Sequence, residues 1–317
     1  MENIFDTYVI SLNTPRDLLH KLKENNLDPI LFKGTNGKAL DYKTIKKYTT
    51  PIYSIFGPMS SIGCSISHIS VWKTFLQSNK QYAVIFEDDI IFNSKNLKSD
   101  ISFYLSNTPT DFDLLYLGCF GSDPNNTFFN TTMNLLNISS NFSQINDYII
   151  KPRVALALHA YVISRSGAEK LINLLYGKIY NHIDFCIQTL SKKNLINTYV
   201  TNPRLIYQTS TDTTPSQNSS NSYPILFNNI LAQYYIDKFV KASYITTVSL
   251  FRLFNYNITL SNILIFIICL YLYKSNESIL FIIVFIIIIS LPDLFNIKQK
   301  QYLPTRKMTN LNQNWMN

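Results

Sequence analysis

Residues 82–92 form an apolar run that is interrupted by three consecutive carboxylates, Glu87, Asp88 and Asp89. Such a run predicts a buried strand, where an ionised carboxylate is costly unless a cation or hydrogen bonds compensate for lost hydration. Because side chains alternate across a strand, we expect Glu87 and Asp89 on one face and Asp88 on the other. Two carboxylates on one face could share a divalent cation. A solvated loop between two strands explains the same residues equally well.

The composition is that of a folded, basic protein. Hydrophobic residues make up 46% of the 317 positions, enough for one sizeable core with an appendage or for two modest domains. Lys and Arg outnumber Asp and Glu by 28 to 20, which favours anionic partners. The basic residues are scattered without a basic helix or zinc-finger spacing, which argues against nucleic-acid binding. The four widely spaced cysteines predict free thiols rather than a zinc site or a disulfide framework.

Strand and helix patterns alternate through the first 200 residues, the order typical of an α/β fold. We predict strands at residues 8–12, 29–32, 111–118 and 154–164. A first helix is predicted after a capping residue at 13–14, with Pro15 in its first turn. Further helices are predicted over residues 65–78 and 182–190, and another opens with a capping box at 166–169 and runs through residue 175. Residues 119–152 predict a long surface excursion that faces an acceptor or acts as a lid, and residues 209–222 a flexible loop.

The C-terminal region contains two apolar runs, residues 260–273 and 278–291, separated by a polar tetrapeptide. Neither run reaches the roughly 20 residues of a straight membrane span. Because residues 281–289 are apolar on every side, we predict a hydrophobic helical hairpin, or one interrupted span, that attaches the chain to a membrane. Basic residues beyond both outer ends place the globular domain on the cytosolic side by the positive-inside bias, with the luminal face of an internal membrane as the alternative.

These patterns divide the chain into three parts: a globular domain over residues 1–240, membrane-associated hydrophobic helices over 241–295, and a basic polar tail over 296–317. The division depends on the sharp change in composition before the first apolar run. It predicts that the chemistry lies entirely in the first part.

Several motifs, in one order along the chain, resemble a known family. Residues 63–72 and 82–89 resemble the signature of glycosyltransferase family 25, which includes bacterial lipooligosaccharide galactosyltransferases, collagen galactosyltransferases and giant-virus relatives. The resemblance continues at residues 9–16, 34–40, 114–118 and 159–168, so that it spans residues 8–215. Each match is weak alone, but the ordered set is specific. The composition and the cytosolic topology suit a giant-virus member, which would act in the host cytoplasm or the virion.

The resemblance implies a GT-A type, Rossmann-like nucleotide-sugar transferase domain ahead of the hydrophobic hairpin. Such an enzyme would move a hexose, galactose or glucose, from a UDP-sugar to a hydroxyl of a glycan, lipooligosaccharide or protein acceptor, with inversion. Mn²⁺ or Mg²⁺ at the acidic motif would take up the charge that develops on the diphosphate. By analogy Asp89 is the direct metal ligand, Glu87 contacts the ribose or a metal-bound water, and Asp88 binds the donor sugar or braces the turn.

The resemblance also implies a nucleotide pocket. Arg16 would contact the nucleotide or its phosphates, although a surface arginine in the first turn of a helix explains it equally well. Gly34, Thr35 and Asn36 would line the nucleoside pocket. Asn36 stands where the family more often has an acidic residue, which leaves the ribose and base contacts open. Gln208 would face the donor.

Inversion needs a general base that takes the proton of the acceptor hydroxyl. The resemblance favours Asp184, for which a helix-capping or salt-bridged aspartate is the structural alternative. His182 would be a third metal ligand. His68 and His159 are expected to be packed structural histidines rather than ligands.

Two other functions compete with glycosyl transfer. The chain could be a membrane-anchored scaffold or binding protein with a degenerate transferase domain, but a decayed site should lose its costly carboxylates first. It could also be a nucleotidyltransferase with the same metal-diphosphate chemistry. That class commonly has a glycine-rich loop after the first strand, whereas residues 11–15 contain no glycine.

Overall fold

The computed structural model describes residues 4–122, 142–209, 231, 233–254, 256–275 and 279–299. Its strands are β1 (Phe5–Ser11), β2 (Pro29–Lys33), β3 (Tyr82–Glu87), β4 (Ile90–Phe92), β5 (Leu114–Phe120), β6 (Phe142–Gln144), β7 (Ile149–Pro152), β8 (Leu156–Ser164), β9 (Thr198–Thr201), β10 (Ile206–Gln208), β11 (Tyr235–Asp237), β12 (Val240–Lys241), β13 (Ser249–Leu253) and β14 (Tyr256–Thr259). Its helices are α1 (Arg16–Glu24), α2 (Tyr42–Tyr48), α3 (Pro51–Phe56), α4 (Met59–Phe75), α5 (Leu97–Asn107), α6 (Arg165–Leu175), α7 (Ile183–Lys192), α8 (Ser243–Thr247), α9 (Leu260–Lys274) and α10 (Ile279–Gln299), with a 3₁₀ turn at Gly37–Ala39.

Eight strands form one mixed sheet in the order β2-β1-β3-β8-β5-β9-β7-β6. The first three strands in this order run parallel to one another, and β8 is antiparallel to both β3 and β5. The prediction of an α/β fold is therefore confirmed, and the sheet is consistent with a Rossmann-like glycosyltransferase domain. Because β1, β2 and β3 are parallel, their carboxyl ends meet at one edge of the sheet, which is where ligands bind in open α/β folds.

Helices cover both faces of this sheet. Side chains alternate along β1, so that Tyr8 and Ile10 pack in one core cluster and Val9 packs in the other. The first cluster includes buried side chains of α4, α6 and α7, and the second includes those of α1 and α5. Glu87 follows Ile85 and Phe86 on β3, and the same alternation directs it to the α4 side.

Helix α4 begins at Met59 rather than at the predicted residue 65, and its first turns contain several buried serines. The hydroxyl groups of Ser65 and Ser67 donate to the carbonyls of Ser61 and Gly63, each at 2.8 Å, which satisfies these polar groups inside the core. Gly63 is required here, because a Cβ atom would lie 2.6 Å from the backbone nitrogen of Gly37.

Two predicted helix caps were wrong. Ser164, not Ser166, is the N-cap residue of α6, and its hydroxyl accepts from the backbone nitrogen of Gly167 at 3.0 Å. Strand β8 continues to Ser164, so the helix starts immediately at the strand end. Pro15, predicted in the first turn of α1, is instead its N-cap residue, so the cap is not the polar residue predicted at 13–14.

The apolar runs near the C-terminus form α9 and α10, which contact each other. Within the described residues, none of the helices combines the length and the hydropathy that a membrane crossing requires. The predicted surface excursion is described only at its ends, where β5, β6 and β7 belong to the main sheet. The predicted flexible loop beyond Thr209 and the basic tail beyond residue 299 lie outside the described residues.

Candidate active site

The three carboxylates lie where β3 ends. Glu87 is the last residue of the strand, and Asp88 and Asp89 form a turn into β4. The expected strand alternation, with Glu87 and Asp89 on one face, was therefore wrong, because the backbone leaves the extended conformation after Glu87. Each carboxylate instead has a different partner: His68, Ser11 and Gln208 respectively.

Glu87 belongs to a buried hydrogen-bond network on the α4 side. His68 Nε2 lies 3.0 Å from Glu87 Oε1, and His68 Nδ1 lies 2.9 Å from the hydroxyl of Tyr161. Trp72 Nε1 donates to that same hydroxyl at 2.8 Å. Tyr161 can then donate its one hydroxyl proton to Nδ1, which leaves the proton on Nε2 for Glu87. Burial alone would raise the pKa of Glu87, but the hydrogen bond and charge of His68, the charge of His159 and the contact with Cys64 together outweigh burial and hold that pKa below its usual value.

Cys64, His68 and Glu87 are the one group of three potential metal-ligating residues within the described part of the chain, with ligand atoms within 4.8 Å of one another. Both nitrogen atoms of His68 already have hydrogen-bond partners. Burial, together with the nearby negative charge of Glu87, raises the pKa of the Cys64 thiol well above its usual value, so that the thiol stays protonated. We therefore interpret this group as the support that orients Glu87.

Asp88 accepts a hydrogen bond from the hydroxyl of Ser11, the last residue of β1. Ser11 Oγ also accepts from the backbone nitrogen of Asn13 at 3.2 Å. Burial and the neighbouring charge of Glu87 raise the pKa of Asp88, although the bond from Ser11 opposes the shift. Asp88 thus ties the turn to the end of the adjacent parallel strand.

Asp89 has the environment of a ligand for a cation. Gln208 Nε2 donates to Asp89 Oδ2 at 2.7 Å. Asp89 Oδ1 and Gln208 Oε1 are both buried, and neither has a hydrogen-bond partner among the described residues. Burial, followed by the charge of Glu87, raises the pKa of Asp89 to about 8. Two unsatisfied, hard oxygen atoms beside a destabilised negative charge fit Mg²⁺ or Mn²⁺.

The residues of the predicted nucleotide pocket lie at the carboxyl ends of β1 and β2. Gly34 N donates to the carbonyl of Ser11 at 2.7 Å, and a Cβ atom on Gly34 would lie 3.3 Å from that carbonyl group. Thr35 N donates to Ser67 Oγ at 2.8 Å. Asn36 caps the 3₁₀ turn by accepting from the backbone nitrogen of Lys38 at 3.0 Å. Arg16 is exposed at the start of α1.

Asp184 lies in the first turn of α7 and binds backbone groups. Its Oδ2 accepts from the backbone nitrogen of Ala157 at 2.9 Å, and its Oδ1 accepts from that of Phe185 at 2.8 Å. Ala157 has a φ of 69°, so this bond supports a strained backbone position at the start of β8. His182 is the N-cap residue of α7, and its Nε2 lies 2.9 Å from the carbonyl oxygen of Ser249.

Residues after the predicted globular core also reach the site. The side chain of Tyr244, on α8, lies against the ring of Phe120, with the two centroids 6.2 Å apart. Burial raises the pKa of Tyr244, and so do the negative charges of Asp89, Glu87 and Asp184. No sequence pattern indicated this residue, because its position depends on tertiary contacts across more than 100 residues of chain.

A buried ion pair anchors the segment that contains Tyr244. Arg204 donates through Nη2 to Asp237 Oδ1 and through Nη1 to Asp237 Oδ2, each at 2.8 Å. Both side chains are only 4% exposed. Arg204 Nη1 also donates to the carbonyl of Cys119 at 2.7 Å. The boundary predicted at residue 240 therefore cuts through a segment that packs on the site.

The parallel half of the sheet, with carboxylates beyond its strand ends, places the chain among the open α/β proteins, whose ligands bind at this edge. The chain belongs to glycosyltransferase family 25, since the profile described as glycosyltransferase family 25 (LPS biosynthesis protein) matches residues 5–187. The family resemblance predicted from the ordered motifs is thereby confirmed.

Curated relatives agree with this family. "Procollagen lysyl hydroxylase and glycosyltransferase" of Acanthamoeba polyphaga mimivirus is 27% identical over an alignment of 191 residues, and the match covers 54% of this chain and 20% of the relative. Human "Procollagen galactosyltransferase 2" is 25% identical over 127 residues, 36% of this chain and 20% of the relative. The chain thus matches about a fifth of the length of these relatives.

Similarity to solved structures is more distant. A197 from STIV matches with a TM-score of 0.33 and 10% identity, over 66% of this chain and 96% of the other. Mouse xyloside xylosyltransferase 1, in its apo form, matches with a TM-score of 0.31 and 10% identity, and the match covers 62% of this chain and 71% of that structure. At these scores the fold assignment depends on the sheet itself.

Proposed function

We propose that the chain is an inverting, metal-dependent glycosyltransferase of the GT-A type that moves a hexose from a UDP-sugar to a hydroxyl of a glycan, lipooligosaccharide or protein acceptor. The observation that supports it best is the pair of buried oxygens, Asp89 Oδ1 and Gln208 Oε1, at the carboxyl edge of the sheet in a family 25 chain. Because a curated relative is named a galactosyltransferase, UDP-galactose is the first donor to test.

In this proposal Asp89 and Gln208 hold Mn²⁺ or Mg²⁺ through their unsatisfied oxygens. The ion supplies charge neutralisation for the departing diphosphate. Glu87 is turned toward His68, so we assign it to shaping the site and contacting the ribose or a bound water, rather than to the ion directly. His182 is engaged by the carbonyl of Ser249, so its predicted role as third ligand requires that contact to open.

The nucleotide is proposed to lie over the ends of β1 and β2. Gly34 packs against the carbonyl of Ser11, where a Cβ atom would lie 3.3 Å away, so the backbone from Gly34 to Asn36 stays beside the end of β1, where the nucleotide is proposed to bind. Arg16 is exposed at the same edge and is free to reach phosphate oxygens.

Asp184 remains the proposed general base. Each of its oxygens accepts one backbone hydrogen bond, and a carboxylate has about four acceptor positions, so capacity is left for an acceptor hydroxyl. Burial is the main cause of the raised pKa values of Cys64 and Tyr244, and the charge of Asp184 adds to both, which supports a position for Asp184 near the acidic motif.

The proposal is tested with the full chain, a panel of UDP-, GDP- and CMP-sugars, and Mn²⁺, by following nucleotide release. We expect release from one UDP-hexose, which Asp89→Asn abolishes. The matched control Asp28→Asn changes an exposed aspartate away from the motif and should retain activity. If no sugar donor were bound or turned over, glycosyl transfer would be refuted, and a scaffold or binding protein would be the remaining function. Pyrophosphate release from a nucleoside triphosphate would instead identify a nucleotidyltransferase.

A further inference from the structure

Exposed apolar side chains on α3 and on the β13–β14 turn form a surface that we call the apolar face. It consists of Ile52, Ile55 and Phe56 on α3, and of Leu253, Phe254 and Tyr256 at the turn. Ile52 is 73% exposed, Phe254 94% and Tyr256 76%. Large apolar side chains at such exposure, adjacent to one another, mark a surface that contacts another molecule.

The two parts of the apolar face are joined in the folded chain. Helix α3 contacts β13, and Arg252 Nη2 donates to the carbonyl of Ile55 at 3.0 Å. This bond fixes the β13–β14 turn beside α3, although the two elements are nearly 200 residues apart in sequence. The apolar face is therefore a tertiary feature that the family-matched part and the C-terminal part build together.

The apolar face continues into α9 and α10. Thr259 ends β14 and is the N-cap residue of α9, so the helix follows the strand without a linker. Both helices expose large apolar side chains around their circumference: Phe266, Ile267, Ile268, Leu270, Tyr271, Tyr273, Ile279, Leu280, Phe281, Ile283, Val284, Ile286, Ile287 and Ile288. Helices that are apolar on every side are typical of an apolar environment rather than of water.

Basic side chains border this surface. Lys43, Lys46 and Lys47 are exposed on α2, which packs against α3. Lys274 ends α9. An apolar surface with a basic border is complementary to an anionic lipid surface, where the lysines stay among head groups and the apolar side chains enter the acyl region. A second copy of the chain fits less well. A two-fold contact would bring together the same lysines of two chains that each have a net charge of +8, and these charges repel.

We propose that the apolar face, together with α9 and α10, binds to an anionic lipid bilayer, so that the globular domain itself contacts the membrane through α3 and the β13–β14 turn. This goes beyond attachment by the C-terminal helices alone, because it fixes the orientation of the domain. It also does not depend on the proposed glycosyl transfer, and its test uses no activity.

The test measures contact with lipid at single positions. Ile55→Trp and Phe254→Trp place a fluorophore on the apolar face, and Ile30→Trp places one at an exposed position of the edge strand β2 as the matched control. The full chain of each variant is mixed with vesicles of phosphatidylcholine and phosphatidylserine that contain brominated acyl chains. Unsubstituted protein gives the background from Trp72 and Trp315.

We expect strong quenching at positions 55 and 254 and none above background at position 30. Binding of the full chain without quenching at either position would overturn the proposal, because α9 and α10 would then bind alone. Burial of positions 55 and 254 in a lipid-free dimer, seen by light scattering and a blue-shifted emission, would also overturn it in favour of a second copy. Absence of vesicle binding would overturn it as well.

The basic border is tested separately by vesicle flotation. The double variant Lys43→Gln, Lys46→Gln should bind anionic vesicles about tenfold more weakly and phosphatidylcholine vesicles unchanged. Lys192→Gln with Lys193→Gln is the matched control, since those lysines are exposed at the end of α7. An equal loss in both double variants would mean that net charge alone attracts the chain, and would overturn the role given to the border.

Discussion

Gln208 donates its side-chain amide to Asp89 Oδ2 at 2.7 Å, across 119 residues of sequence. The contact exists because β10 pairs with β4 in antiparallel register, which sets Gln208 opposite Ile90. The backbone of Thr209 then donates to the carbonyl of Asp89 at 2.8 Å. Asp89 is therefore held from both its side chain and its main chain, with one carboxylate oxygen left over for a ligand.

We expect Gln208→Ala to weaken Mn²⁺ binding about 10- to 100-fold, since the variant loses one oxygen ligand and the bond that orients Asp89. Manganese binding is measured on the full chain by the loss of the free-ion paramagnetic signal. Gln144→Ala, at an exposed glutamine on β6, is the control and should bind normally. Unchanged affinity in Gln208→Ala would remove this residue from the metal site.

The raised pKa of Asp89 predicts a pH dependence. With its pKa at about 8, the metal-free carboxyl is mostly protonated near neutrality, and a cation must displace that proton. The apparent affinity for Mn²⁺ should therefore rise as the pH increases, up to about 8, and level off above it. Calorimetry in buffers of different ionisation enthalpy should detect the release of a proton on binding, and the release should be absent in Asp89→Asn.

The same pKa sets the sign of a stability change in the metal-free protein. An unfolded aspartate has a pKa of about 4. Between that value and the folded pKa of about 8, the folded state binds one proton more than the unfolded state does at this position. The contribution of Asp89 to the free energy of unfolding therefore falls as the pH rises through this window. Added Mn²⁺ should reverse the fall, as measured by urea unfolding at a series of pH values.

The positions of several candidate site residues follow from strand patterns in the sequence, because these residues fall at the ends of strands. The apolar residues 82–86 predict the strand that carries Glu87, although its end at Glu87 is seen only in the structure, and the pattern of residues 8–12 predicts the partner strand that bears Ser11. Parallel neighbours then bring both ends together without further information. Gln208 was also predicted to be near the donor, although its bond to Asp89 was not.

Features that depend on long-range contacts could not be predicted. The turn at Asp88 is decided by the partners of the three carboxylates, which come from β1, α4 and β10. Tyr244 reaches the site because Arg204 and Asp237 fix its segment, and neither residue forms a motif with it in the sequence. Hydrophobic periodicity reports the burial of an element, but not which distant element covers it.

Tyr244 is expected to contribute to substrate binding. Tyr244→Ala removes an aromatic side chain beside the acidic motif and should raise the KM for the sugar donor or the acceptor by about three- to tenfold. Tyr244→Phe keeps the ring and should have a smaller effect on KM. Tyr235→Ala, at an exposed tyrosine of the same segment, is the control. Equal kinetics for Tyr244→Ala and the control would exclude a contact with either substrate.

The network behind Glu87 should be important for stability. His68→Ala removes the donor to Glu87 and the acceptor of the Tyr161 hydroxyl proton, and it leaves a cavity in a fully buried position, so we expect a loss of about 3–5 kcal/mol in the free energy of unfolding. His20→Ala is the control, because its side chain is 76% exposed and its contact with Glu24 lies on the surface of α1. That change should stay within about 0.5 kcal/mol. Urea denaturation of both variants measures the difference.

The ion pair between Arg204 and Asp237 should decide whether the C-terminal segment stays on the site. Asp237→Ala leaves a buried guanidinium without its carboxylate, which typically costs about 3–5 kcal/mol. We expect faster proteolytic cleavage within residues 233–259, and less protection from cleavage when the sugar donor is added. Asp147→Ala, at an exposed aspartate, is the control and should be cleaved as the unsubstituted chain is. Replacing both partners, Arg204→Met with Asp237→Leu, should restore part of the protection, because no charge is then left unpaired. If Asp237→Ala were cleaved no faster than Asp147→Ala, the segment would be held by its apolar contacts with Phe120 and Leu156 instead.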